Sequence, residues 1–122
     1  MNVANLELCR ELYELSGWVE TFNYWEYTDG IPEGVPYLSQ PELERRYGLW
    51  NTQELKKQFP AYDCGYLLRK LPDINLLRDV KRNEWMATAP FRSKVLNEWA
   101  DTPEDTLCKL AIALFKEGVL VK

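Results

Sequence analysis

Leu8, Cys9, Leu12 and Leu15 recur along "NLELCRELYELS" (5–16) at i, i+1, i+4 and i+7. That spacing puts them in one apolar stripe and predicts a helix. Asn5 offers its side chain to the first turn, and Gly17 can close the last turn in a left-handed conformation. The strongest periodicity lies at the other end, in "DTPEDTLCKLAIALFKEGVLVK" (101–122). Thr102 is the expected cap, Pro103 the first helical residue, and Asp105 completes a capping-box-like pattern. Leu107, Leu110, Ala111, Leu114 and Phe115 fall on one face, and Gly118 ends the helix. "VLVK" is read as a short edge strand.

Between these ends the pattern changes period. "PAYDCGYLLRKLP" (60–72) has Tyr62, Tyr66 or Leu67, Leu68 and Leu71 at helical spacing, stopped by Pro72. "INLLRDV" and "EWMATAPF" predict two strands around the polar turn "KRN", and "RSKVLNEW" predicts a third. Upstream, 28–41 contains three prolines, Pro41 included, and two glycines, and is read as a loop. "PELERRYG" (41–48) and "NTQELKKQF" (51–59) are read as short helices. The order from residue 60 is helix, three antiparallel strands, helix. Two helices on one face of a small sheet give an α+β class. The chain of 122 residues suits one domain. Residues 1–59 would supply a helix, the aromatic and acidic segment and short helices, packed onto the unit at 60–122.

"WVETFNYWEY" (18–27) holds Trp18, Phe22, Tyr24, Trp25 and Tyr27. In extended chain Trp25 and Tyr27 face opposite to Trp18, Phe22 and Tyr24. The expected division is that Trp18 and Phe22 anchor the stretch, while Trp25 and Tyr27 are partly exposed and meet a partner. Tryptophan and tyrosine are common interface anchors.

Charge sharpens this picture. The net charge of -4 hides an asymmetry. Residues 1–44 carry nine acids and one base, Arg10; residues 45–94 carry eleven bases and five acids. Aromatic rings among carboxylates suit a protein partner better than nucleic acid, because base stacking is usually accompanied by Lys or Arg on the backbone. Arg78, Lys81 and Arg82, at the tip of the predicted hairpin, are the best nucleic-acid candidates. Otherwise the basic middle is a solvated face that pairs with the acidic third.

Composition excludes several chemistries. The chain has no histidine, which removes the commonest general base and metal ligand and every Ser-His or Cys-His nucleophile. Cys9, Cys64 and Cys108 lie far apart without a C-x-x-C pair, so reduced thiols are expected and no metal site is read. The glycines form no phosphate loop. No apolar run approaches the ~18 residues of a membrane span, and no signal peptide is read at the start.

"LCRELYELSGW" (8–18), "PAYDCGYLLRKLP" (60–72) and "ADTPEDTLCKLAIALFKEGVL" (100–120) together resemble small phage and prophage proteins. The last two resemble in particular the phage ABA sandwich domain, whose helices open on "P-x-Y" and "A-D-T-P" patterns around a short sheet. Pro60, Tyr62, Thr102, Pro103 and Cys108 are the matching positions. The resemblance implies a mobile-element gene acting in the bacterial cytoplasm; it supplies no catalytic residues. The double-stranded RNA-binding domain shares the helix–three strands–helix order. It grips phosphate with lysines at the start of its second helix, where this chain has "TPED".

The expected function is therefore binding rather than catalysis, with no cofactor. The leading expectation is an anti-CRISPR-like inhibitor acting on a host bacterial protein, such as a nuclease or defence complex. Its contact residues would be Glu20, Tyr24, Trp25, Glu26, Tyr27, Asp29 and Glu33. The alternative is a nucleic-acid module using Arg78, Lys81 and Arg82.

Overall fold

In the computed structural model of the protein, Asn5 caps the first helix as its position predicts. Its side-chain oxygen accepts a hydrogen bond from the Leu8 N–H at 2.9 Å, and helix α1 runs Leu6–Ser16. Gly17, at φ 70°, closes α1 by donating its N–H to the Tyr13 carbonyl. The structure describes residues 2–21, 23–27, 36–39 and 58–122.

Two three-stranded antiparallel sheets follow. Strands β1 (Asn23–Tyr27), β2 (Pro36–Ser39) and β3 (Gln58–Ala61) form the first, in the order β2-β1-β3. Two expectations are corrected here. Residues 36–39, read as loop, are a strand; residues 58–61, divided between two predicted helices, are also a strand. Both contain a proline, which lacks a ladder donor and so argues against a central strand. β2 and β3 are both edge strands, where the missing donor costs no pairing on the free side. Pro36 pairs with Tyr27 and Pro60 with Tyr24. The predicted helix at 41–48 and residues 51–57 of the next lie outside the described residues.

Helix α2 therefore starts later than periodicity suggests, at Cys64–Lys70. Asp63 sets that start, its carboxylate accepting from the Tyr66 N–H at 2.7 Å. Tyr62 and Leu67 are buried as expected, whereas Leu68 is exposed because it lies on the solvent side of this short helix.

The second sheet matches its prediction closely. Strands β4 (Asn75–Asp79), β5 (Glu84–Phe91) and β6 (Lys94–Ala100) lie in the order β4-β5-β6. Asp79 organises the first turn by accepting from the Lys81 and Arg82 N–H groups. Asn83 takes the left-handed conformation, at φ 55°. Alternation along β5 buries Ala87 and Ala89 and puts Trp85 on the same face. Leu77, Met86 and Trp99 form a cross-strand row on the other face.

Helix α3 (Pro103–Lys116) is the centre of the core. It packs on β5 and β6, and α1 and α2 pack on it in turn. Leu107, Leu110, Ala111 and Leu114 are buried as the stripe predicts. Thr106, Cys108 and Ile112 are buried too, because neighbours on several sides cover more than one stripe. α1, α2, α3 and both faces of this packing share one cluster of buried side chains, so the protein is a small single-domain α+β fold.

The two ends of α3 differ from the sequence reading in one respect each. Thr102 caps the start, its hydroxyl accepting from the Asp105 N–H at 3.1 Å. Asp105 does not complete a reciprocal box; its carboxylate accepts instead from the Asn5 N–H at 2.7 Å, tying the start of α3 to the start of α1. At the other end Gly118 is left-handed, at φ 78°, and the Val119 and Leu120 N–H groups turn back to the Leu114 carbonyl. Val119 and Leu120 consequently close the helix end, and residues 119–122 form no edge strand. Thr102→Ala should cost ~0.5–2 kcal/mol through the lost cap. A urea midpoint equal to that of the parent would show that the cap carries no stability.

Candidate functional site: an acidic groove between two tryptophans

Strand β1 decides where the aromatic stretch points. Tyr24 and Trp25 are successive strand residues and so face opposite sides of the first sheet. The Tyr24 hydroxyl donates to the Val19 carbonyl at 2.6 Å. Trp25 packs against the core and donates its indole N–H to the Ala4 carbonyl at 3.3 Å. Trp25 is partly exposed, as expected, but its covered side packs on the same core as Trp18, where strand parity put the two on opposite sides. Parity counts only along continuous strand, and between Trp18 and β1 the chain turns, with the Thr21 N–H bonded to the Val19 carbonyl. Trp18 anchors as expected, edge-on to Phe115 at 5.3 Å and to Tyr66 at 6.3 Å. Its carbonyl accepts from the buried Tyr62 hydroxyl at 2.7 Å.

The other predicted contact residues are scattered. Glu20 is largely exposed and lies 3.9 Å from the Lys70 ammonium, one instance of the acidic third pairing with the basic middle. Glu26 and Tyr27 are placed by their backbone in β1, opposite Tyr37 and Pro36 of β2. Asp29, Glu33 and the anchoring residue Phe22 lie outside the described residues.

What the fold does assemble is a groove of about 570 Å³ beside the start of α3. Trp25 from β1 and Trp85 from β5 line it, with Asn5 and the carboxylates of Asp101, Glu104 and Asp105. Three separated segments meet there because Asn5 of the α1 cap is bonded to Asp105. The Thr106 hydroxyl, bonded to the Trp85 and Thr102 carbonyls, holds α3 against β5.

The carboxylates are not equivalent. Asp105 is engaged with Asn5, and Asp101 is exposed. Glu104 is only 6% exposed, and among the described residues its carboxylate has no hydrogen-bond or ion-pair partner. A position in the first turn of α3 favours negative charge through the helix dipole, typically by ~0.3–1 kcal/mol. The Glu104 carboxylate oxygens keep contact with solvent in the groove: among the described residues the Tyr66 hydroxyl is the one fully buried side-chain polar atom without a partner. Among the described residues no three acidic or cysteine side chains converge as metal ligands would, so the carboxylates are spread along the groove.

Glu104 also acts on its neighbour Cys64. Burial first, then the charges of Glu104 and Asp63, push this thiol from the usual 9.0 up to about 11. The folded state thus favours the neutral thiol. The resulting stabilisation is fully present below pH ~9 and is lost as pH rises through ~11. Cys9 and Cys108 are buried, both donating to backbone carbonyls, while the hydrogen bond with Cys9 and burial hold the Cys108 thiol protonated. Native-state alkylation by iodoacetamide should accordingly report Cys64, be slow at pH 8, and quicken about tenfold per pH unit toward 11. Fast labelling at pH 8 would mean that the thiol is neither buried nor opposed by Glu104.

The hairpin cations divide between the two faces of the second sheet. The Arg78 guanidinium lies 5.9 Å from the Trp85 ring centre and donates to the Asn83 side chain at 2.8 Å. The Arg82 guanidinium lies 4.6 Å from the ring centre of Trp99, which is on the opposite face, and 4.0 Å from Asp79. Lys81 is exposed at the tip. The three cations do not form one line.

Sequence reading identified Trp25 but not the groove. Two signals bear on it: Trp85 shares the parity of Ala87 and Ala89, and "TPED" concentrates acids in one turn. Neither says that strand β1, distant in sequence, brings Trp25 to the same place. No family model, curated protein or solved structure matches the chain.

Proposed function

We propose that this protein is a non-enzymatic binding protein that docks on a host bacterial protein and blocks a defence complex, in the manner of an anti-CRISPR inhibitor. The observation that carries the binding part is the groove between Trp25 and Trp85, onto which the otherwise covered Glu104 opens its carboxylate. Indole faces supply contact area at low entropic cost, and carboxylates select against other acids. The acidic first third of the chain extends that sign of charge. A surface of this kind complements the basic clefts with which nucleases hold phosphate backbones. The phage context comes from the resemblance at Pro60, Tyr62, Thr102, Pro103 and Cys108.

The alternative, nucleic-acid binding by Arg78, Lys81 and Arg82, draws on one observation: Arg82 and Trp99 place a cation and an aromatic ring together on the outer face of the sheet. The division of the three cations between two faces weakens it, since a phosphate-tracking surface needs them on one side.

Affinity capture with the intact protein as bait, followed by a nuclease assay on the captured complex, separates the readings. Recovery and inhibition of a nuclease complex is the expected result. A salt-sensitive DNA or RNA gel shift that is abolished when Arg78, Lys81 and Arg82 are changed to Glu, with no protein captured, would establish the alternative instead.

A further inference from the structure

The groove has the chemistry to name what it holds. Trp25 and Trp85 present indoles to a space of about 570 Å³ that also contains Asp101, Glu104 and Asp105. Glu104 is covered to 6% exposure and pairs with no described residue, and what stays open to the groove includes its carboxylate oxygens. Asp101 lies exposed at the rim. Rings and unneutralised carboxylates together select an organic cation: the ring faces attract positive charge, and the carboxylates accept its hydrogen bonds.

Among protein side chains, arginine fits this set better than lysine. Its guanidinium is planar and stacks on an aromatic face while its edge donates two parallel hydrogen bonds to one carboxylate. It is also the more weakly hydrated cation, so entering a recess beside buried Glu104 costs it less. The protein already places a guanidinium over an indole twice, Arg78 at 5.9 Å from the Trp85 ring centre and Arg82 at 4.6 Å from that of Trp99. The Arg78 contact also shows that the Trp85 ring accepts a guanidinium.

We propose that the groove between Trp25 and Trp85 is an arginine-binding site, in which a guanidinium from a protein partner stacks on indole and pairs with Glu104 and Asp101. This rests on the protein-binding reading above and gives it a chemical specificity: the partner presents an exposed arginine.

The test uses the intact protein labelled with nitrogen-15 and a blocked Gly-Arg-Gly peptide, against peptides carrying lysine or the neutral isostere citrulline at the centre. The arginine peptide should shift the indole N–H resonances of Trp25 and Trp85 saturably. Lysine should bind several-fold more weakly, and citrulline should produce no saturable shift. Glu104→Gln, which preserves shape, should weaken arginine binding about tenfold or more, as loss of a charged hydrogen-bond partner implies. Asp101→Asn, at an exposed position that leaves the fold undisturbed, should weaken it by a smaller factor. Equal binding of citrulline or lysine, shifts confined to Trp99, no shift at all, or binding unaffected by both variants would each overturn the assignment. Capture of a host nuclease complex by a protein that ignores the arginine peptide would leave the binding reading standing and this one refuted. Arginine-peptide binding by a protein that captures no partner would do the reverse.

Discussion

Leu110→Ala is expected to destabilise the protein by about 2–5 kcal/mol, through lost transfer free energy and the cavity left behind. Leu110 is fully buried in α3, the helix that β5, β6, α1 and α2 all touch. A cavity there has neighbours on several sides, each tied to another element, so the site cannot collapse by moving one of them. Thr106 bonded to the Trp85 carbonyl and Asp105 bonded to Asn5 hold α3 to both partners. In a chain of 122 residues the loss corresponds to roughly 8–20 °C in melting temperature. Leu114→Ala should behave similarly, as it is fully buried on the same face. A melting temperature within a degree or two of the parent in both variants would mean that α3 is not the central element.

Trp18→Ala and Trp25→Ala are both expected to lower stability, by roughly 2–3 kcal/mol each. That is somewhat less than the ~3–5 kcal/mol of a fully enclosed ring, because both are only partly buried. Trp18 makes two edge-to-face ring contacts, with Phe115 of α3 and Tyr66 of α2, and removing it takes both at once. Trp25 loses its packing on the core, and the Ala4 carbonyl loses the indole donor. Ala4 also donates its N–H to the Tyr62 carbonyl, so the segment leading into α1 loosens with the ring. Denaturant unfolding of the two variants checks this directly. If Trp25→Ala left the midpoint unchanged while Trp18→Ala lowered it, Trp25 would be a surface ring and the outward-facing reading would be restored. Trp25→Phe keeps most of the packing but removes the indole donor, and should fall between the parent and the Ala variant.

What the sequence determined by itself is what neighbours in the chain can settle. Both long helices were legible because caps act over three or four residues: Asn5 on Leu8, Thr102 on Asp105, and Gly17 and Gly118 in left-handed turns. The second sheet was legible for the same reason, its strands following one another through short polar turns with alternating burial. The first sheet was not. Pro36 and Pro60 hide its edge strands, and β1 to β3 pairing joins Asn23 to Ala61 across an interval that no local pattern spans. The direction of Trp25 was misread because parity was carried from Trp18 through a turn that breaks the strand. Only the tertiary structure decided the site. Asn5 and Asp105 meet across 100 residues, β1 brings Trp25 and β5 brings Trp85 to the same place, and the acids of "TPED" acquire a recess instead of a flat solvated turn. Residue type is written in the sequence. Whether a carboxylate lies in the open or at the floor of a groove depends on which distant backbone covers its side chain, and that is settled by packing alone.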